Sequence, residues 1–126
     1  MASNETKILT ILEENLLSLD DILACMVARK GMEGVVPPME KFKINDMGVW
    51  QVLQKTMDDF FTVIEAYSEY GLDKVYFELG NYDVMFYILP KTNVALVAIV
   101  PALSNRGLLE VELENARIKI INTLDD

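Results

Sequence analysis

The chain contains no histidine. That absence removes Ser-His-Asp and Cys-His nucleophilic arrangements, imidazole-ligated zinc and any imidazole pH switch. Only one cysteine is present, Cys25, so no intrachain disulfide can form, in keeping with a reducing compartment. Cys25 lies in an apolar run with nothing to activate it, the setting of an inert buried thiol. Positive charge is scarce: 11 Lys+Arg against 20 Asp+Glu leave a formal net charge of −9. Phosphate backbones and anionic bilayers attract basic surfaces, so neither nucleic acid nor a membrane is an expected partner. Neither Gly-x-x-x-x-Gly-Lys-[Ser/Thr] nor Gly-x-Gly-x-x-Gly occurs, so no phosphate cradle and no cofactor are expected. Asp20-Asp21 offers oxygen ligands but lacks the spacing of a calcium loop, so no metal is expected either. The longest uncharged run, Thr92 to Asn105, is shorter than the ~20 residues that span a bilayer and contains Pro101. Glu13 and Glu14 break the N-terminal apolar stretch, which excludes a signal-peptide core and suggests a cytoplasmic protein.

What remains is apolar. Of the 126 residues, 52% are hydrophobic, enough for one core without a disulfide or metal. The mean hydropathy is +0.22, more apolar side chain than a small domain readily hides, which points to self-association. The hydrophobic period marks the elements. Ser3 or Asn4 caps a helix over Glu5–Leu17, with Ile8, Leu9, Leu12 and Leu16 on one side. Ile22–Ala28 is a continuously apolar strand, covered on both faces. Lys30-Gly31 turns into a strand at Met32–Val36, stopped by Pro37-Pro38. A long helix runs over Asp46–Tyr70, with Gly71 as its left-handed terminus. Strands follow at Lys74–Leu79, Tyr82–Leu89 and Asn93–Val100, joined by Gly80-Asn81 and by a turn at Pro90–Thr92. A last helix starts near Ser104 or Asn105 and reaches Leu124. The order α-β-β-α-β-β-β-α with hairpin connections predicts an α+β, three-layer sandwich around a mostly antiparallel sheet.

This order, the strand-turn-strand Ile22–Val36, the long middle helix and Ser104-Asn105-Arg106-Gly107-Leu108-Leu109 opening the last helix resemble the roadblock/LC7 family, of the prokaryotic GTPase-associated type. The resemblance covers residues 5–124 and treats 1–126 as a single domain. It implies a five-stranded antiparallel sheet with the long helix on one face and the first and last helices on the other. It also implies a non-enzymatic homodimer, paired through the long helix and the Lys74–Leu79 strand. Such a dimer is a platform for a small GTPase of the Ras-like class or for a motor or signalling complex.

Two stretches carry that expectation. In the long helix the apolar residues span an arc of about 180°, wider than the ≳100° stripe of a one-sided helix. Phe60 is expected towards the sheet, and Trp50, Met57 and Phe61 on the far edge, against a partner. The strand Lys74–Leu79 is apolar and free of proline, an edge that invites pairing, so Val75 and Phe77 join the expected interface. Gln51, Gln54, Lys55 and Asp58 on the polar side of the helix are the expected GTPase-binding residues. Met26, Met57 and Met85 read as core fillers. Glu110, Glu112 and Glu114 read as a solvated first turn and not as a carboxylate pair. Arg29 and Arg106 could reach a partner's phosphates, with surface solvation the default. A small-molecule sensor of the PAS or profilin-like type is the alternative, and a cavity between sheet and helix would separate the two.

Overall fold

The computed structural model describes residues 3–90 and 93–125. Five strands form one antiparallel sheet: β1 (Ala24–Arg29), β2 (Met32–Val35), β3 (Lys74–Glu78), β4 (Tyr82–Ile88) and β5 (Val94–Pro101). Their spatial order is β2-β1-β5-β4-β3, so β2 and β3 are the two edges. Helix α1 (Asn4–Ile11), continued by a π-helical turn over Leu12–Leu16, and helix α4 (Arg106–Asp125) cover one face. Helices α2 (Met47–Lys55) and α3 (Met57–Ala66) cover the other. The three-layer α+β sandwich expected from the sequence is the observed architecture. Of the turn expected at Pro90–Thr92, Lys91 and Thr92 lie outside the described residues.

The sheet's alternation sorts the core into two clusters. Cys25, Val27, Met85, Tyr87, Leu96 and Ala98 face α1 and α4, where they meet Leu12, Leu16, Leu109, Leu113 and Ile120. Ala24, Met26, Ala28, Phe86, Val97 and Ile99 face α2 and α3. β1 pairs with β5 without interruption from Ala24↔Ile99 to Arg29↔Val94 at the centre of the sheet, and helices cover both faces there, which is why both strands are largely apolar on both sides. Met26, Met57 and Met85 are all buried.

Helix boundaries follow from caps. The Ser3 hydroxyl accepts from the Thr6 amide at 3.2 Å to start α1, and Asn105 Oδ1 accepts from the Leu108 amide at 3.2 Å to start α4. The helix expected to run unbroken from Asp46 to Tyr70 is instead divided at Thr56, whose φ and ψ are −98° and 3°. The Thr56 hydroxyl donates to the Val52 carbonyl at 2.9 Å and the Leu53 carbonyl at 3.3 Å. The Thr56 amide still donates to the Val52 carbonyl at 3.0 Å, and the Phe60 amide to the Thr56 carbonyl at 3.1 Å, so the break lies in the Thr56 dihedrals and not in a lost ladder bond. The segment closes with a 3₁₀ turn at Ser68–Tyr70 and Gly71 at φ +77°, the left-handed terminus the sequence predicts.

Candidate functional site

The helix pair α2–α3 presents two apolar sides. Trp50, Leu53, Met57, Phe61 and Ile64 are buried against the sheet. Trp50 and Phe61 are each 1% exposed within the single chain. This corrects the expectation that Trp50, Met57 and Phe61 form the far edge: they are the inner edge and offer no surface to a partner. Phe60, expected to point inward, is only half-buried, at the rim of the sheet. Its ring stacks on Phe77 at 5.1 Å and tilts against Phe86 at 4.9 Å. The outward apolar residues are Val52 and Val63, exposed at 60% and 48%, and Tyr67 at 56%. The arc was wide enough to point inward along either side. Trp50 and Phe61 share one buried cluster with Ala24, Ala28, Phe86 and Ala95 of the sheet face beneath the helices.

Between this outer side and β3 runs a groove of about 530 Å³, walled by Val49, Val52, Phe60, Phe77 and Leu79. Its walls are almost wholly apolar, and it opens directly onto the β3 edge. Val75 and Phe77 are half-buried there, and Leu79 is 41% exposed. Among the described residues, no strand lies outside β3.

A charged and aromatic network fixes this edge strand from the other face. Arg117, on α4, is buried and donates to Asp73 Oδ1 at 2.7 Å, to the Ile88 carbonyl at 3.1 Å and to Glu114 Oε2 at 2.6 Å. Burial alone would pull the Arg117 pKa down, but hydrogen bonds to Asp73 and Glu114 outweigh it and raise it further. Its guanidinium lies 5.2 Å from the Tyr87 ring centroid. Tyr87 shares a 3.1 Å hydroxyl contact with Tyr76, and burial followed by that bond pushes the Tyr87 pKa well up. Arg106 pairs with buried Asp83 and lies 5.6 Å from the Tyr76 ring. Glu114, expected as part of a solvated turn, is thus a working member of this network. Arg117 was legible by phase, since it falls on the buried side of α4 with Leu109, Leu113 and Ile120.

The other expected residues are accounted for as follows. Gln51, Gln54, Lys55 and Asp58 are all exposed, on α2 and the start of α3. Gln54 and Asp58 also border a smaller cleft of about 270 Å³ with Met26, Met32 and Met57 beside β2. Arg29 and Arg106 are engaged within the chain: Arg29 bonds the Glu33 carbonyl and Glu5, and Arg106 bonds Asp83. Cys25 is fully buried, and desolvation pushes its thiol up to about 12, so it is no nucleophile. A further cleft of about 610 Å³ lies at the C-terminal end of α3, with Ile64, Glu65, Ser68, Asp73 and Asn93 among its walls. Among the described residues no group of three or more acidic or cysteine side chains is arranged to hold a metal ion. No helix among them is long and apolar enough to cross a membrane.

With this arrangement in view, the fold has a known counterpart. The chain is similar in structure to MglC from Myxococcus xanthus, a roadblock/LC7-domain protein. The TM-score is 0.62 at 18% identity, over 90% of this chain and 95% of that one. The likeness is one of fold, and the fold is roadblock-like. No family model and no curated protein matches the sequence.

Proposed function

We propose that the chain is a non-enzymatic adaptor that acts as a homodimer and binds a small GTPase of the Ras-like class. The observation that carries the dimer is the apolar groove beside β3, continuous with a strand edge that has no partner strand among the described residues. Exposed apolar surface of this kind marks an interaction site, and a bare edge is a template for another strand. The GTPase half is supported by MglC, which belongs to the MglABC GTPase system. Pairing at β3 brings the two α2–α3 pairs side by side, with Gln51, Gln54, Lys55 and Asp58 as polar groups for the GTPase. Regulation then needs no bond chemistry here. The dimer shifts the switch segments only insofar as it binds one of their conformations better than the other. The sensor alternative is disfavoured by the filling of the space between sheet and helix: Trp50, Phe61 and Phe86 are each no more than 1% exposed there.

Calorimetry with small GTPases of the source organism, in GDP and GTP forms, tests the reading. The dimer should bind one form at least tenfold more tightly than the other. Gln54→Arg with Asp58→Arg should weaken that complex and leave the dimer intact. GTP alone should give no heat, because no glycine-rich loop is present to hold its phosphates. Heat from free GTP, or full GTPase affinity in the double variant, would count against it.

A further inference from the structure

The cleft at the C-terminal end of α3 has a chemistry that neither the β3 groove nor the charged network uses. Its volume of about 610 Å³ lies within the range of about 300–1,000 Å³ typical of ligand pockets. Its buried walls are apolar, Phe61, Ile64 and Ile88 among them, and its exposed walls are polar, with Glu65, Ser68 and Asn93. The charged side chains that line it are both acidic, Glu65 and Asp73. Asp73 is already matched, since Arg117 donates to its carboxylate at 2.7 Å. Glu65 sits in the last turn of α3, where the helix dipole adds partial negative charge. Helices commonly offset that end with Lys or Arg of their own. α3 has no basic residue in its last turn, and neither does the 3₁₀ turn that follows.

The cation that meets Glu65 comes from elsewhere in the chain. It is Lys30, in the turn between β1 and β2. That turn is held against the same end of the sheet: the Lys30 amide donates to the Asn93 carbonyl at 2.9 Å, and Gly31 reverses the chain at φ +68°. The Lys30 and Glu65 side chains remain 45% and 41% exposed. An ion pair so open to water contributes little, so exchanging its cation for another costs little. Lys30 meets Glu65 from outside the walls of the cleft, and its stem leaves the apolar ones uncovered.

We propose that this cleft binds a cation carried on an aliphatic stem, a guanidinium or an ammonium group. The head replaces Lys30 at Glu65 and the α3 terminus, and the stem lies against Phe61, Ile64 and Ile88. Arginine and lysine side chains of a partner protein share this chemistry with free alkyl amines. The acidic walls and the net charge of −9 favour cations and repel anions. The site shares no wall with the groove beside β3 and does not depend on the adaptor reading.

NMR titration of the full chain tests the site. n-Butylguanidinium and n-butylammonium should shift the amides of Ser68, Gly71, Leu72 and Asn93 together, and n-butanol, the same stem without charge, should bind more weakly. Glu65→Gln should weaken cation binding about fivefold, the scale of a partly exposed ion pair. Asp59→Asn, the same loss of charge at the other end of α3, should leave it unchanged. Lys30→Ala should strengthen binding, because it removes the resident competitor. Lys30 and Glu65 are both exposed, so these variants keep the fold. A blocked Gly-Arg-Gly peptide separates the two sources: tighter binding than n-butylguanidinium assigns the site to a partner's side chain, and weaker binding assigns it to a free amine. Equal binding of n-butanol, no effect of Glu65→Gln, or weaker binding in Lys30→Ala would each overturn the proposal.

Discussion

The two edges of the sheet are built differently. β2 is four residues long, and its pairing with β1 slips between Val27↔Val35 and Arg29↔Met32. Gly34 sits so close to β1 that a Cβ there would lie 2.6 Å from the Val27 carbonyl oxygen. Arg29 Nε donates to the Glu33 carbonyl at 2.8 Å and Arg29 is itself tied to Glu5 at 3.1 Å, so a side chain covers the β2 backbone. Pro37 and Pro38 then end any continuation. These are the devices by which proteins blunt an edge: short length, a bulge, charge and proline. Of these β3 has only charge, at its ends in Lys74 and Glu78, with neither bulge nor proline. It is regular along its five residues, lacks proline and borders an apolar groove. The contrast between the blunted edge and the regular one is what favours β3 in the proposed dimer.

The sharpest test of that contrast lies in the helices above β3. Phe61→Asp should abolish folding, because an unpaired charge buried in the core costs several kcal/mol, comparable with a small domain's whole stability. Val52→Asp, on the groove side, should fold with a near-wild-type melting temperature and run as a monomer by light scattering. If both variants melted and associated alike, the assignment of inner and outer sides would be wrong.

A smaller effect separates the edges themselves. Gly34→Ala should lower stability by about 1–3 kcal/mol, the range for forcing an extra group into a packed site. Once folded, the variant should dimerise normally. Leu79→Lys should do the reverse, changing stability by under about 0.5 kcal/mol, as exposed substitutions do, while weakening the dimer. Chemical denaturation and sedimentation on the same two variants measure both. An unchanged dimer in Leu79→Lys would remove the groove from the interface.

Much of this frame was legible before any coordinates. β1 up to Ala28 and β5 along its length are apolar because helices cover both faces, and Gly80-Asn81 and Gly71 marked where the chain turns. Helix phase was less legible. The apolar arc of α2–α3 has two edges, and which one faces inward depends on packing against sheet residues distant in sequence. The break at Thr56 was hidden because threonine is compatible with a helix interior, and only its dihedrals of −98° and 3° set it apart. Of the expected interface, Val75 and Phe77 lie at the edge, whereas Trp50, Met57 and Phe61 belong to the core.

The finest test of the two edges uses individual amides. In a single chain the Val75 and Phe77 amides bond to β4 and are protected, whereas those of Lys74, Tyr76 and Glu78 point outward. In the proposed dimer the outward three gain acceptors on the second copy. Their hydrogen exchange should therefore slow as protein concentration rises through the dimer dissociation constant, on alternate residues only. The Met32–Val35 amides of β2 should show no concentration dependence, because that edge is not used. Exchange read residue by residue by NMR at two concentrations resolves this. A uniform change along β3 would mean that dilution loosens the strand as a whole. An alternating change confined to β2 would mean that the blunted edge, not the bare one, joins the two copies.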